Sequence, residues 1–199
     1  MTQRLKFYDE GHIYEYRNQV IPSVSELLRF MSREVYGEID KYILDHAAER
    51  GTAVHKASVE LDLHGTVECD EELFGYLEAY AKFLREHEVH WDIIERAFAH
   101  PKLLYAGTID RAGLVDGFYT IVDIKTNCAV KKPLVKAQLN GYRKLLQARR
   151  KRVERLVCLQ LRPDGKYRFY PTAIDDTEFM ACYKIHAAMS KRQKRGKIE

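Results

Sequence analysis

One segment near the middle of the chain constrains the fold more than any other. It begins with GTID at residues 107–110, reaches Asp116 and Gly117, and ends with DIKT at residues 123–126. An Asp-Gly pair between two apolar runs indicates a two-residue β-hairpin turn. Asp110 and Asp123 lie equally far from that turn, so the hairpin register makes them direct cross-strand neighbours. The sequence therefore predicts two paired carboxylates on one face of an antiparallel hairpin.

This carboxylate pair predicts a cation site, because two carboxylates directly opposite each other repel unless something compensates them. Ligation by the oxygens of Asp110 and Asp123, with the Ile124 backbone carbonyl and waters, suits Mg²⁺ or Mn²⁺ better than zinc. Lys125 follows Asp123 by two residues, so both side chains point to one face of the strand while Ile124 points to the other, buried face.

These residue types suit phosphodiester hydrolysis. The metal activates a water and polarises the phosphoryl oxygen, while Lys125 orients the nucleophile or offsets developing charge. The alternative is a surface salt bridge between Asp123 and Lys125, which is a common feature of strands.

The N-terminal half is predicted to form a hairpin followed by helices. Residues 5–8 and 12–16 flank a turn at 9–11. Ser23 and Glu26 make a capping box that starts a short helix. A second helical stretch covers 39–64, with a break or a close packing contact expected at Gly51 and Thr52. Apolar residues recur at helical spacing over 70–88, which predicts an amphipathic helix.

The apolar period then changes to that of strands. An antiparallel meander is predicted over residues 91–99, 103–108, 109–115 and 119–124. It is followed by a helix over 132–149, a central strand over 153–161, a turn at 163–165, a strand over 167–171 and a helix over 176–189. This order predicts an α/β or α+β class with a mixed sheet.

The length of 199 residues fits one domain, which we assign to residues 1–190, followed by a basic and mobile tail over 191–199. The N-terminus lacks the apolar core of a signal peptide, and no run of about eighteen apolar residues is present to span a membrane. A cytoplasmic location is therefore predicted. The cysteines are scattered, which favours reduced, mostly buried thiols over a zinc site or disulfides: Cys69, Cys128, Cys158 and Cys182.

Five motifs occur in one order along the chain: GTAVH at 51–55, Glu95, GTID at 107–110, DIKT at 123–126 and QLNGY at 138–142. Together they resemble the ordered motifs of RecB-like nucleases of the PD-(D/E)XK superfamily. IPSVS at 21–25 also resembles the start of phage-encoded and mitochondrial exonucleases of this group. The resemblance covers roughly residues 20–160. It implies a restriction-endonuclease-like core, in which helices flank a central mixed sheet with an antiparallel meander.

The resemblance implies that His55, Asp110 and Asp123 bind the metal and that Lys125 is catalytic. Glu95 matches the first acidic motif of the family, as a further ligand and catalytic residue. A helical histidine is more often structural, and Glu95 has the alternative of an exposed strand glutamate paired with Arg96 or a lysine.

Gln138 and Tyr142 lie four residues apart on one helix face, and the resemblance implies that this pair supports the active site or touches DNA. The alternative is ordinary helix packing by Tyr142 with a solvent-facing Gln138. Some RecB-like nucleases also carry an iron–sulfur cluster on four cysteines. No cluster is expected here, because the four cysteines are not grouped near the C-terminus.

The net charge of +4 is modest but unevenly distributed, with seven basic residues between Arg143 and Arg155 and five in the last nine positions. This distribution suits DNA as a partner, although solvated helix faces and a solubilising tail are the alternative. Lys131, Lys132 and Lys136 follow the catalytic strand and are candidate phosphate contacts. No GxxxxGK[ST] loop for ATP is present. Whether the protein forms a homo-oligomer or binds a recombination partner protein is left open.

These features predict a Mg²⁺-dependent deoxyribonuclease, with Mn²⁺ able to substitute. Its predicted activity is that of an exonuclease in DNA recombination, DNA repair or phage DNA processing. An endonuclease or junction resolvase uses the same core, and a non-catalytic nucleic-acid-binding relic is the rival from another class. The three residues that such a relic would lose first are all present: Asp110, Asp123 and Lys125.

Overall fold

The computed structural model describes residues 5–37 and 41–195. Its strands are β1 Lys6–Tyr8, β2 Ile13–Tyr16, β3 Gln19–Ile21, β4 Val89–Ala99, β5 Ala106–Val115, β6 Phe118–Lys125, β7 Arg155–Leu161 and β8 Tyr167–Thr172. Its helices are α1 Val24–Leu27, α2 Arg29–Tyr36, α3 Lys41–His64, α4 Phe74–Glu86, α5 Lys132–Gln147 and α6 Thr177–Arg195, with a 3₁₀ turn at Glu71–Leu73 before α4.

Strands β4 to β8 form a five-stranded sheet in sequence order. All neighbours are antiparallel except β6 and β7, which are parallel. A parallel step between consecutive strands needs a crossover connection, and α5 supplies it. The predicted class is confirmed, because the sheet is mixed, contains the antiparallel meander β4–β5–β6 and has helices on both faces, as a restriction-endonuclease-like core does.

The N-terminal strands β1, β2 and β3 form a separate antiparallel sheet, which confirms the predicted first hairpin. The Ser23 half of the predicted capping box is confirmed too, since the Glu26 N–H donates to Ser23 Oγ at 2.9 Å. The Ala106 N–H donates to the Pro22 carbonyl at 2.9 Å. The end of β3 is therefore attached to the first residue of β5, and the small sheet lies beside the strand that carries Asp110.

Two apolar cores cover the opposite faces of the five-stranded sheet. One contains residues of α1, α5 and α6 together with Ile121 and Leu156, and the other contains residues of α3 and α4 together with Val122, Ile124 and Val157. Strands β6 and β7 are buried on both faces, as central strands between helical layers must be. Helix α3 lies on one side of the sheet and α5 on the other, and both supply candidate site residues.

The break predicted at Gly51 and Thr52 is wrong, because α3 is continuous from Lys41 to His64. The Thr52 hydroxyl donates to the Ala48 carbonyl at 2.9 Å, within the helix. The alternative of close packing is wrong as well, since a Cβ at Gly51 would meet only Thr126 Oγ1, at the ordinary distance of 3.7 Å. A single glycine costs a helix only about 1 kcal/mol, which the packed face of a long helix offsets.

The two strands predicted at 103–108 and 109–115 are one strand, β5, which pairs with β4 from Ala106 to Val115. The turn falls earlier, where the His100 N–H donates to the Tyr105 carbonyl at 2.8 Å. At the C-terminal end, α6 continues to Arg195, so the expected tail begins inside a helix, and residues 196–199 lie outside the described part of the chain.

All four cysteines are free thiols, as predicted. Cys158 and Cys182 are buried and Cys69 is half-buried, but Cys128 is exposed, so the expectation that most are buried holds for only two of them. Within residues 5–37 and 41–195, no helix is both long enough and apolar enough to cross a membrane.

Candidate active site

The β5–β6 hairpin has the predicted turn and register. Asp116 and Gly117 have positive φ angles of 51° and 80°, as a two-residue turn of this kind requires. The ladder ends one pair short of Asp110 and Asp123. At that point Asp110 Oδ2 accepts the Ile124 N–H at 2.8 Å, so a side chain continues the hydrogen bonding where the backbone ladder stops.

Asp123 is a buried carboxylate that is poorly compensated. Its residue surface is 1% exposed, and neither carboxylate oxygen has a hydrogen-bond partner among residues 5–37 and 41–195. Lys125 Nζ lies 2.8 Å from Asp123 Oδ2, which is an ion-pair contact without hydrogen-bond geometry. Burial, with a smaller contribution from the neighbouring Asp110 carboxylate, raises the pKa of Asp123 to about 6, although Lys125 opposes the shift. Lys125 therefore compensates the charge of this carboxylate only in part.

Lys125 lies on the same side of β6 as Asp123, and Ile124 packs into the core on the other side. Burial would lower the pKa of Lys125, but Asp123 and Asp110 outweigh it, and the net effect raises this pKa. The side chain therefore stays an ammonium at neutral pH. The salt bridge between Asp123 and Lys125 that was considered from the sequence does form, but Asp123 is buried and not at the surface.

His55 reaches the same point from α3. Its Nδ1 lies 2.9 Å from Glu95 Oε1, and its Nε2 lies 3.2 Å from the Ile124 carbonyl and 3.8 Å from Asp110 Oδ2. Burial would lower the pKa of His55, but Asp110 and Glu95 outweigh it and raise this pKa to about 9. Both ring nitrogens face acceptors, so the ring is an imidazolium here. His55 is part of this polar cluster and is not packed in an apolar core.

Glu95 lies on β4 opposite Asp110, according to the β4–β5 pairs on either side of it. Its φ of 40° is in the left-handed region that a non-glycine residue adopts only at a cost of about 1–3 kcal/mol. Its carboxylate contacts His55 and Arg111, the latter at 3.1 Å from Nη1 to Oε1. The alternative of an exposed glutamate paired with Arg96 is therefore wrong.

The donor atoms that converge best belong to His55, Glu95 and Asp110, whose ligand atoms all lie within 4.8 Å of one another. Asp123 is not in this group, because its carboxylate is turned toward Lys125. Two carboxylates, and an imidazole once His55 gives up its proton, suit a divalent cation, and the adjacent buried Asp123 carboxylate, which contacts only Lys125 among the described residues, fits a site that gains positive charge. A ligand role for Asp123 and for the Ile124 carbonyl stays a prediction.

Gln138 and Tyr142 occupy one face of α5, as their spacing predicts, and Gln138 Nε2 donates to the Tyr142 hydroxyl at 2.9 Å. Burial raises the pKa of Tyr142 well above its usual value, with Asp123 and Asp110 adding to the shift, so the phenol stays protonated. Gly107 makes room for this ring, since a Cβ there would lie 2.8 Å from Tyr142 Cε1. The glycine of the GTID motif therefore serves close packing against α5.

An open cleft of about 1320 Å³ joins these residues. The six candidate site residues with side chains on its lining are His55, Glu95, Asp110, Lys125, Gln138 and Tyr142. Tyr14 of the N-terminal sheet also lines it and is held to β5 by a 2.8 Å hydrogen bond between its hydroxyl and Thr108 Oγ1. The cleft thus lies between α3, α5, the small sheet and the ends of β5 and β6.

Sequence reasoning missed the buried residues behind the acids, namely Arg111, Asp62, Ser58 and Tyr80, which form one connected set of hydrogen bonds. Arg111 directly follows Asp110 in the GTID strand, and a charged residue inside an apolar strand between two helical layers was the available signal. Asp62 and Ser58 follow His55 at helical spacing, which places them on adjoining parts of one face of α3.

Several candidate DNA-binding residues are already paired with acids. Lys136 Nζ donates to Asp175 at 2.6 Å and to Glu178 at 2.9 Å. Lys144 donates to Asp176 at 2.5 Å, and Lys151 donates to Asp92 at 2.9 Å. The positive charge between Arg143 and Arg155 is thus partly neutralised on the protein itself. Lys132 Nζ lies over the Tyr170 ring, 5.8 Å from its centroid.

No protein-family model matches this chain, and no curated protein matches its sequence. Among solved structures, it is similar to an alkaline exonuclease, LHK-Exo, from Laribacter hongkongensis, with 16% identity and a TM-score of 0.45 over 89% of this chain and 94% of that one. The complex of LHK-Exo with dAMP gives 16% identity and a TM-score of 0.41, over 90% and 95% of the two chains.

The chain is also similar to the protein SSO0001, with 14% identity and a TM-score of 0.40 over 82% of this chain and 84% of that one. Two of these three structures are of one exonuclease. The chemistry of this chain is inferred from its own residues.

Proposed function

We propose that this protein is a metal-dependent nuclease that hydrolyses phosphodiester bonds in DNA. The observation that carries the proposal is the convergence of His55, Glu95 and Asp110 at the end of a hairpin that also holds Asp123 and Lys125, inside an open cleft. In an ion pair that serves only the structure, each charged group usually has its hydrogen-bond partners. Here the buried Asp123 carboxylate, next to Asp110 and His55, contacts Lys125 but has no hydrogen-bond partner among the described residues, which favours a site that takes up a cation.

The cation we propose is Mg²⁺, with Mn²⁺ able to replace it. When bound, it would lower the pKa of a water and polarise a phosphoryl oxygen. His55, Glu95 and Asp110 would hold it, with Asp123 and the Ile124 carbonyl as further candidates. Iron–sulfur chemistry is not part of the proposal.

The chain's own residues supply the remaining chemistry. Lys125 keeps its ammonium beside the acids and is placed to offset negative charge that develops on the phosphate. Gln138 fixes the Tyr142 hydroxyl, and both line the cleft, so a phosphate oxygen there meets a pair of preset polar groups. Glu95 and Asp110 hold His55 in one orientation through its Nδ1 and Nε2 sides.

DNA is the proposed substrate and partner. Lys131, Lys132 and the exposed members of the run from Arg143 to Arg155 are the proposed contacts to the DNA backbone. The pairing of Lys136 with Asp175 and Glu178 makes it the weakest of the predicted contacts. An exonuclease role in recombination, repair or phage DNA processing is proposed from the sequence resemblance. The cytoplasmic location stays a prediction from the sequence.

The test is incubation of the purified protein with end-labelled linear DNA and with closed circular DNA, in Mg²⁺, in Mn²⁺ and in EDTA. We expect degradation of linear DNA with either metal and none in EDTA. Survival of the circle supports an exonuclease, whereas cutting of the circle supports an endonuclease or resolvase. Binding without cleavage under every metal condition would favour the non-catalytic relic and overturn the proposal.

A further inference from the structure

Arg111 is the largest fully buried side chain of the described residues, with 0% exposure. Its guanidinium makes four hydrogen bonds, each to a different group. Nε donates to Asp62 Oδ2 at 2.6 Å, and Nη2 donates to Ser58 Oγ at 2.9 Å. Nη1 donates to Glu95 Oε1 at 3.1 Å and to the carbonyl of Asp110 at 2.8 Å. One planar group therefore reaches α3, β4 and β5.

These contacts lead to all three members of the candidate ligand group. Glu95 is held directly, and Asp110 is held at its backbone carbonyl. His55 is held through Ser58, whose hydroxyl accepts from Arg111 and donates to the His55 carbonyl at 2.8 Å. The three candidate ligands come from three separate elements, and Arg111 is a common partner of the elements that carry them.

The backbone of Glu95 shows why such a partner is needed. Its positive φ costs free energy, and the relaxed conformation would aim the carboxylate elsewhere. The hydrogen bonds from Arg111 Nη1 and from His55 Nδ1 both end on Glu95 Oε1 and keep the carboxylate between them.

Stability alone is a weak explanation for this arrangement. A buried ion pair such as Arg111 with Asp62 often contributes no more than a well-packed apolar pair of the same size. A guanidinium differs from other cations in its planar fork of five N–H donors, which can hold several acceptors in fixed directions. The hydrogen bonds of Arg111 therefore fix directions at the residues that carry the candidate ligand atoms.

We propose that Arg111 is a positioning residue, which holds Glu95, Asp110 and the His55 turn of α3 in the geometry that takes up the divalent cation. This inference rests on the proposed metal-dependent nuclease function. Arg111 touches neither the substrate nor the cation, and its effect passes through the residues that it orients.

The main variant is Arg111→Lys, which keeps a cation beside Asp62 but can no longer bridge Ser58, Glu95 and the Asp110 carbonyl at once. Ser58→Ala is a milder second variant that removes a single arm of the fork. Tyr80→Phe is the matched control, because Tyr80 is equally buried and donates to Asp62 at 2.9 Å but contacts none of the three candidate ligands.

The measurements are the Mn²⁺ dissociation constant by calorimetric titration of the protein alone, the visible spectrum of bound Co²⁺, and kcat and KM on linear DNA. We expect Arg111→Lys to weaken Mn²⁺ binding at least about tenfold, to alter the Co²⁺ spectrum and to lower kcat with little change in KM. Ser58→Ala should weaken Mn²⁺ binding about threefold. Tyr80→Phe should lower the unfolding midpoint without changing Mn²⁺ binding.

Each outcome decides the question. Unchanged Mn²⁺ affinity in a folded Arg111→Lys protein, or equal loss of affinity in Tyr80→Phe, would overturn the positioning role while leaving the nuclease proposal standing. If Arg111→Lys does not fold, unchanged affinity in Ser58→Ala overturns the role and a selective loss supports it. A wild-type protein that binds neither Mn²⁺ nor Co²⁺ would refute the proposed function itself, and the positioning role with it.

Discussion

Asp110 and Lys125 lie in one cluster but have different proposed roles: Asp110 binds the metal, and Lys125 offsets charge on the phosphate. Asp110→Asn removes a negative charge from the candidate ligand group, while an amide oxygen can still accept the Ile124 N–H. We expect weaker metal binding and a cleavage rate at least ~100-fold lower, equivalent to roughly 3 kcal/mol of lost transition-state stabilisation. Steady-state cleavage, Mn²⁺ titration and thermal unfolding of the variant measure the three effects, and the fold should be retained.

Lys125→Ala is the comparison for that variant. It leaves the carboxylates in place and removes the ammonium that lies 2.8 Å from Asp123. We expect a comparable loss of cleavage but retained metal binding, because no ligand is lost. If both variants cleave DNA at the wild-type rate, the active site lies elsewhere in the chain.

At the residue scale, the sequence alone was enough to predict that Asp110, Asp123 and Lys125 come together, because a two-residue turn fixes which positions oppose each other. The sequence did not predict which of the acids direct their oxygens to a common point. The hairpin geometry predicted that Asp110 and Asp123 share the cation, and the resemblance added His55 and Glu95. The donor atoms that converge are those of His55, Glu95 and Asp110, while a ligand role for Asp123 stays a prediction. Which way a carboxylate turns depends on competing partners, here Lys125 for Asp123 and Arg111 for Glu95, and these contacts arise only in the folded chain.

At the scale of elements, two motif glycines have opposite roles. Gly107→Ala puts a Cβ 2.8 Å from Tyr142 Cε1 and 3.1 Å from Val24 Cγ2, so β5 and α5 must separate. We expect a loss of about 1–3 kcal/mol in the free energy of unfolding and weaker cleavage through the displaced Tyr142. Urea denaturation and the cleavage assay measure the two effects.

Gly51→Ala is its matched control. The glycine lies inside the continuous helix α3, where a Cβ would meet only Thr126 Oγ1 at 3.7 Å. We expect a gain in the free energy of unfolding of up to about 1 kcal/mol, because alanine has the higher helix propensity. A destabilised Gly51→Ala protein would show that α3 is bent or broken there after all.

Elements with one clear apolar period were predictable, and elements whose limits depend on distant partners were not. The capping box fixed the start of α1, and the Asp-Gly turn fixed the β5–β6 hairpin. The start of β5 was missed because it is set by pairing with β4 and by the bond from Ala106 to Pro22, neither of which leaves a local pattern. The unbroken α3 was missed because packing along its length outweighs one glycine.

For the whole molecule, the salt dependence of DNA binding distinguishes exposed cations from paired ones. Arg150 and Arg152 are exposed and make no ion pair with residues 5–37 or 41–195, whereas Lys136 and Lys144 are held by acids. In a Lys125→Ala background, changing Arg150 and Arg152 together to Ala should reduce the slope of log K against log salt by about two. Fluorescence anisotropy at several salt concentrations measures it.

The control changes Lys136 and Lys144 together to Ala, which alters the net charge by the same amount. We expect its salt slope to fall by less than one, since these ammonium groups are already neutralised by Asp175, Asp176 and Glu178. Equal slopes for the two double variants and the parent would show that the run from Arg143 to Arg155 does not bind the DNA backbone.

The single parallel step in the five-stranded sheet has a kinetic consequence. The β5–β6 hairpin closes through a two-residue turn, whereas β6 and β7 cannot pair until the chain has crossed over through α5. Contacts between near neighbours in the chain form with the smaller entropic cost, so the two aspartates should meet before the sheet is complete.

Gly117→Ala strains only the turn, where φ is +80° and a Cβ would touch nothing within 4 Å, so it should mainly slow folding. Leu159→Ala, which truncates a buried side chain of β7, should instead mainly speed unfolding. Stopped-flow chevron plots of the two variants measure both rates. Slower folding in Leu159→Ala and faster unfolding in Gly117→Ala would show that the crossover forms first.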